Sequence, residues 1–173
     1  MSRDRTLHCL VTAALFAAAI TVMTAYILHI PLPTGGYIHL GDALIYLAAC
    51  LLPLPYAVGA AAIGAALADL LTAPMWVLPT LIVKALVVLP FTSGRAKLLC
   101  PRNVAAVAVS GLVSPAGYAL ANVLMTGTPA AFLPQFLGTL VQAVGSGAVF
   151  LVLAAALDKV GLKSRLAPQL KQA

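Results

Sequence analysis

Six apolar runs, near residues 7–29, 41–55, 56–73, 75–93, 104–126 and 131–157, occupy most of the chain, and most approach the ~20 residues a helix needs to cross a bilayer. In hydrocarbon a single segment satisfies its own backbone polar groups only as a helix. Charge leads to the same solvent. Only 8% of the 173 residues are charged against 62% hydrophobic, and none is Glu, so a water-facing exterior cannot be covered. The expected fold class is an all-α integral membrane protein, one transmembrane domain over residues 1–173.

The net charge of +6 does not indicate nucleic acid, because Lys and Arg fall between apolar runs instead of clustering with aromatics on one solvated face. Cys9, Cys50 and Cys100 are odd in number and far apart, with no metal-ligand spacing; they read as small buried apolar residues, and no metal site is expected. Arg3 and Arg5 ahead of Leu7–Leu28 resemble the start of a signal peptide. The run is long enough to span and lacks an A-x-A cleavage site, so an uncleaved first helix is expected.

Turn chemistry separates the runs at Pro31 to Gly36, Pro53 and Pro55, Pro74, Gly94 to Pro101, and Gly127 to Pro129. The second run is short: ~15 residues rise ~22 Å against a ~30 Å core, which leaves open a single kinked helix over residues 41–73. Charge placement favours six spans. Arg3 and Arg5, the group Arg95, Lys97 and Arg102, and the final Lys159, Lys163, Arg165 and Lys171 then share one side, which the positive-inside rule makes cytoplasmic. Both termini are expected inside, with residues 30–40, the turn at 74 and residues 127–130 outside. The tail with Gln169, Lys171 and Gln172 reads as solvated.

Polar residues within the spans collect toward the outer half, where ionisable groups in hydrocarbon mark a working site. His39, Asp42 and Tyr46 fall near one face if the second helix starts by His39. Asp69 lies near the outer end of the third run. Trp76, Thr80 and Lys84 follow at four-residue steps, as do Ser114, Tyr118 and Asn122; Gln135, Thr139, Gln142 and Ser146 make a further polar face. With Tyr37 in the first outer connection, these form a water-accessible cup instead of a pore. Aromatics to stack on a flat ring, amides to read its edges and a few charges suit a vitamin-sized ligand. The candidate contacts are Tyr37, His39, Asp42, Tyr46, Asp69, Trp76, Thr80, Lys84, Tyr118, Asn122 and Gln142. Asp69 and Lys84 read either as ligand contacts or as a structural ion pair. His29 and Tyr26 read as interfacial residues.

Ala13 with Ala17, and Ala14 with Ala18, give overlapping A-x-x-x-A pairs in the first run; Ala60, Gly64 and Ala68 repeat the spacing in the third. Small residues four apart allow close helix approach in lipid, although an alanine-rich chain produces such pairs by chance. No Walker loop, HExxH, GxSxG or Ser/His/Asp set is present, so no enzymatic chemistry is expected of this chain. Active uptake would draw its energy from another subunit.

The stretch Gly35-Gly36-Tyr37-Ile38-His39-Leu40-Gly41-Asp42-Ala43, with Ala66-Leu67-Ala68-Asp69-Leu70-Leu71 and Pro79-Thr80-Leu81-Ile82-Val83-Lys84-Ala85-Leu86, resembles the substrate-binding S components of energy-coupling-factor (ECF) vitamin transporters. The resemblance is nearest to the riboflavin-type branch and is specific over residues 35–86. It implies a six-helix bundle, N-in and C-in, whose first outer loop closes over a ligand near the outer surface. It implies as partners a membrane-embedded coupling subunit and two cytoplasmic ATPase subunits, which use the ATP; no cofactor is expected on this chain itself. It further implies that Ala13, Ala14, Ala17 and Ala18 pack against the coupling subunit. The expected location is the inner or plasma membrane of a bacterium-like cell. Family members bind different vitamins on one fold, and riboflavin is not assigned. Two other readings remain at this point: a self-sufficient carrier without ATPase partners, and a small membrane enzyme or assembly factor whose polar stripes bind lipid.

Overall fold

The computed structural model describes residues 3–27, 30–31 and 37–170. Its helices are α1 (Arg3–Ala25), α2 (Gly41–Leu51), α3 (Leu54–Thr72), α4 (Val77–Val88), α5 (Pro101–Thr126), α6 (Phe132–Lys159) and α7 (Leu162–Leu170). Single 3-10 turns, Pro74–Trp76 and Pro129–Ala131, lead into α4 and α6. Between α1 and α2, β1 (Ile30–Pro31) and β2 (Tyr37–Ile38) pair antiparallel, Ile30 opposite Ile38 and Pro31 opposite Tyr37.

Local chemistry sets the boundaries. Residues 41–73 form two helices, not one kinked helix, because Pro53 pushes Leu52 out of the helical region, and Leu52 is extended at φ −91°, ψ 150°. Pro101 opens α5, where its missing N–H costs nothing, and Gly127 closes it in the left-handed region at φ +67°.

Among the described residues, four segments are long and apolar enough to cross a membrane: Arg3–Ala25, Leu54–Thr72, Pro101–Thr126 and Pro129–Lys159. Gly41–Leu51 and Pro74–Val88 are apolar but shorter. The length of α2 has a physical reason. Of its 11 residues all but Leu44 are buried, with α1, α3, α4 and α6 packed around it. A helix enclosed by others need not match the lipid thickness. Outside it the usual arrangement is inverted: Leu78, Leu124 and Val152 are at least 70% exposed, whereas Asp42, Lys84, Asn103 and Ser110 are at most 1% exposed. Such a surface is suited to lipid.

Small residues bring the helices together. A Cβ on Gly64 of α3 would lie 2.7 Å from the Ala17 carbonyl oxygen of α1, and the Thr21 hydroxyl donates to the Gly64 carbonyl at 2.8 Å.

The two ends of the bundle differ. At one end the Asp158 carboxylate accepts the Leu98 and Leu99 N–H groups at 2.8 and 2.9 Å. There Asn103 accepts the Thr92 N–H and donates to the Thr92 and Leu98 carbonyls, strapping the α4–α5 connection onto the helices. This basic end also carries α7, which packs on α1, α2 and α6 and buries Lys163. The expectation of a solvated tail rested on Gln169, Lys171 and Gln172; the backbone of Gln169 belongs to α7, and its side chain lies outside the described residues. Lys171 and Gln172 lie outside the described residues. Cys9 and Cys50 are buried, Cys100 is half-buried, and all three are unbridged.

Candidate functional site

The other end holds the polar residues. There α2 begins three residues after β2, and its first amides need acceptors. His39 supplies one, its Nδ1 accepting the Gly41 N–H at 3.0 Å. Asp42 sits in the first turn of α2, where the helix dipole favours a carboxylate.

Asp42 is the hub. One oxygen takes the Lys84 ammonium at 2.6 Å, and the other accepts from the Gln142 side-chain amide at 3.2 Å. Both charged groups are at most 1% exposed. The Lys84 ammonium also lies 5.2 Å from the centre of the Tyr118 ring, within cation–π range. Thr80 bonds the Tyr118 hydroxyl at 2.7 Å, and Trp76 meets the same ring edge-on at 5.8 Å. The salt bridge found for Lys84 among the described residues is thus with Asp42. Of the two readings left open for Asp69 and Lys84, the structural ion pair between them is not found: α2 lies inside the bundle, and its first turn reaches Lys84 two turns down α4 from Trp76.

Above this layer lies a cavity of about 30 Å³ lined by His39, Asp69, Trp76, Tyr118, Gln135, Thr139 and Gln142. Five of these, His39, Asp69, Trp76, Tyr118 and Gln142, stand among the sequence candidates. Asp42, Thr80 and Lys84 form the layer beneath and hold the lining residues in place. Gln135 and Thr139 were legible as part of the α6 polar stripe but were not singled out; they bond each other at 3.2 Å, and the buried Gln135 carbonyl oxygen has no hydrogen-bond partner.

Three candidates fall elsewhere. Tyr46 is fully buried, stacked on Phe91 at 5.0 Å and edge-on to Phe150 at 5.8 Å, a core position one turn below Asp42. Asn122 donates to the Ala131 carbonyl at 3.3 Å and so fastens the turn before α6. Tyr37 has its backbone in β2, but its side chain, like His29, lies outside the described residues. The alanines divide as well: Ala17 lies against Gly64 and Ala13 packs on the core, whereas Ala14 and Ala18 are exposed.

A larger groove of about 510 Å³ between α5 and α6 is lined by apolar residues such as Val107, Leu112 and Val144. It offers a water-soluble molecule nothing to bond. Among the described residues no three His, Cys, Asp or Glu side chains converge to hold a metal ion.

Exposed apolar helices around a buried polar cavity at one end define a class: a helical bundle suited to a membrane, with a polar cavity near one end. The particular family follows from comparison. Residues 5–159 match the family model of the ECF-type riboflavin transporter S component, and the chain belongs to that family. A protein of Pyrococcus woesei, described as an uncharacterized protein in a gap 3' region, is 31% identical over 157 residues, covering 88% of this chain and all of that protein. The chain is accordingly a multi-pass membrane protein from a family of transporter substrate-binding components, which are not enzymes.

Proposed function

We propose that this protein captures a small water-soluble vitamin or vitamin-like nutrient at its polar end and delivers it inward as part of an ECF transporter. The observation that carries the reading is the cavity itself. Trp76 and Tyr118 offer ring faces, Asp69, Gln135, Thr139 and Gln142 offer polar atoms, and the Asp42–Lys84 pair buttresses them from below. The cavity measures about 30 Å³ and pockets for such ligands roughly 300 Å³ or more, so this reading requires its walls to part when ligand enters.

The distribution of Lys and Arg supports a plasma-membrane topology of six crossings with both termini cytoplasmic, which opens the cavity to the outside. The host is a prokaryote; the relative from an archaeon widens the expectation beyond bacteria. The chain binds no cofactor, and ATP is used by two partner ATPase subunits working through a membrane coupling subunit. Ala14 and Ala18, exposed on α1, are the part of the alanine pattern available to that subunit.

The test is reconstitution. Proteoliposomes with the protein, the coupling subunit and both ATPases should accumulate ligand on ATP addition and lose this when the coupling subunit is omitted. Accumulation without partners would instead establish a self-sufficient carrier.

A further inference from the structure

The α6 wall of the cavity holds a polar pair that the Asp42 layer does not use. Gln135 and Thr139 stand one turn apart, 4% and 5% exposed, and both line the cavity. The Gln135 Nε2 donates to the Thr139 hydroxyl oxygen at 3.2 Å. That bond leaves the Gln135 carbonyl oxygen buried without a partner. It also leaves the hydroxyl hydrogen of Thr139 unspent. Thr21, Thr72 and Thr126 each donate theirs to the backbone carbonyl one turn back. Among the described residues, the bond that Thr139 makes is the one it accepts from Gln135.

A buried acceptor left without a donor destabilises a fold, so each such group calls for an explanation. Among the described residues the Tyr46 and Ser114 hydroxyls are unpartnered too, but they line no part of the cavity, whereas Gln135 does. Gln135 and Thr139 together offer one acceptor and one donor side by side. The pattern survives turning the amide over: Thr139 would then donate to the Gln135 oxygen, and the free pair would be the Gln135 N–H and the Thr139 oxygen. Either way the matching ligand presents one donor and one acceptor on neighbouring atoms.

Resting on the reading of this cavity as the ligand site, we propose that Gln135 and Thr139 are its specificity pair and that the ligand carries a rigid donor–acceptor edge. Such an edge is an N–H beside a carbonyl or a ring nitrogen, as in a lactam, a cyclic urea or an aminopyrimidine. Two bonds to it fix both position and rotation of the ligand. A molecule offering acceptors alone, such as a carboxylate, satisfies one member of the pair and sets an acceptor against the other. Methyl groups in place of the edge hydrogens strand the pair in the same way.

The test uses the purified full-length protein. Small molecules it releases are identified by mass spectrometry. In parallel, biotin, thiamine, riboflavin and nicotinamide, which have such an edge, are titrated calorimetrically beside lipoate and nicotinate, which offer acceptors alone. The tightest binder is then compared with its derivative in which methyl groups replace the edge hydrogens, in wild type, Gln135→Met and Thr139→Val. The expected result is that the released molecule and the hits carry the edge, and that methylation and each substitution weaken binding at least about tenfold. The methylated derivative should bind wild type and Gln135→Met alike. A released molecule without the edge, lipoate or nicotinate as the tightest binder, or unchanged affinity in either folded variant would overturn the specificity pair while upholding ligand capture. If neither variant folds, the methylated derivative in wild type decides. No released molecule together with no hit would overturn ligand capture itself, and the pair with it.

Discussion

At Asp42 and Lys84 a buried ion pair spans 42 residues of sequence and is fixed by a third partner, Gln142. Removing one charge leaves the other stranded, so Lys84→Met should lower stability by about 3–5 kcal/mol, read from thermal unfolding in detergent. Adding Asp42→Asn to it should recover much of that loss; strictly additive losses would mean the pair is not coupled. The sequence made all three membrane-embedded charges visible, but not their pairing. Asp69 and Lys84 sit on consecutive helices and look like partners until α2 is seen to lie inside the bundle. Tyr46 was misread for the same reason: it shares a helical face with Asp42, yet that face continues down into the Phe91 and Phe150 cluster. Its hydroxyl is buried with no hydrogen-bond partner. Tyr46→Phe should therefore be neutral or stabilise by up to about 1 kcal/mol, with ligand affinity unchanged in calorimetry.

Among the elements, α1 has two alanine ridges with different surroundings. Ala17 lies against Gly64 of α3, where the spacing leaves no room for a side chain. Gly64→Leu should push α1 off α3 and cost about 1–3 kcal/mol in the same unfolding assay. Ala14 and Ala18 are exposed, so tryptophan at either should leave stability and ligand affinity intact while abolishing co-purification with the coupling subunit. A double variant that still assembles would make these alanines compositional background. Spacing alone revealed the ridges but not which of them the protein uses for its own packing, because that depends on how α1 is rotated against α3. The helix at residues 162–170 was missed because it is too short for a span and rich in polar residues; only the bundle surface it covers explains it.

For the whole molecule, the apolar runs made the helical class and most helix positions legible, since in lipid few alternatives exist. What they did not reveal was the depth and enclosure of α2, a consequence of tertiary packing and not of composition. The division into a basic end and a polar end underlies the proposed orientation. Single cysteines at Arg95 or Lys97 should resist a membrane-impermeant thiol reagent added to intact cells, whereas a cysteine at Thr128 should react. The central claim, that the polar end captures the ligand, has a built-in reporter, because Trp76 is the chain's one tryptophan and lines the cavity. The direct measurement is Trp76 fluorescence during titration with the molecule released from the protein, alongside calorimetry on the same sample. Saturable change in emission at the calorimetric Kd is the expected result; calorimetric binding that leaves Trp76 emission unchanged would place the ligand elsewhere and contradict the account.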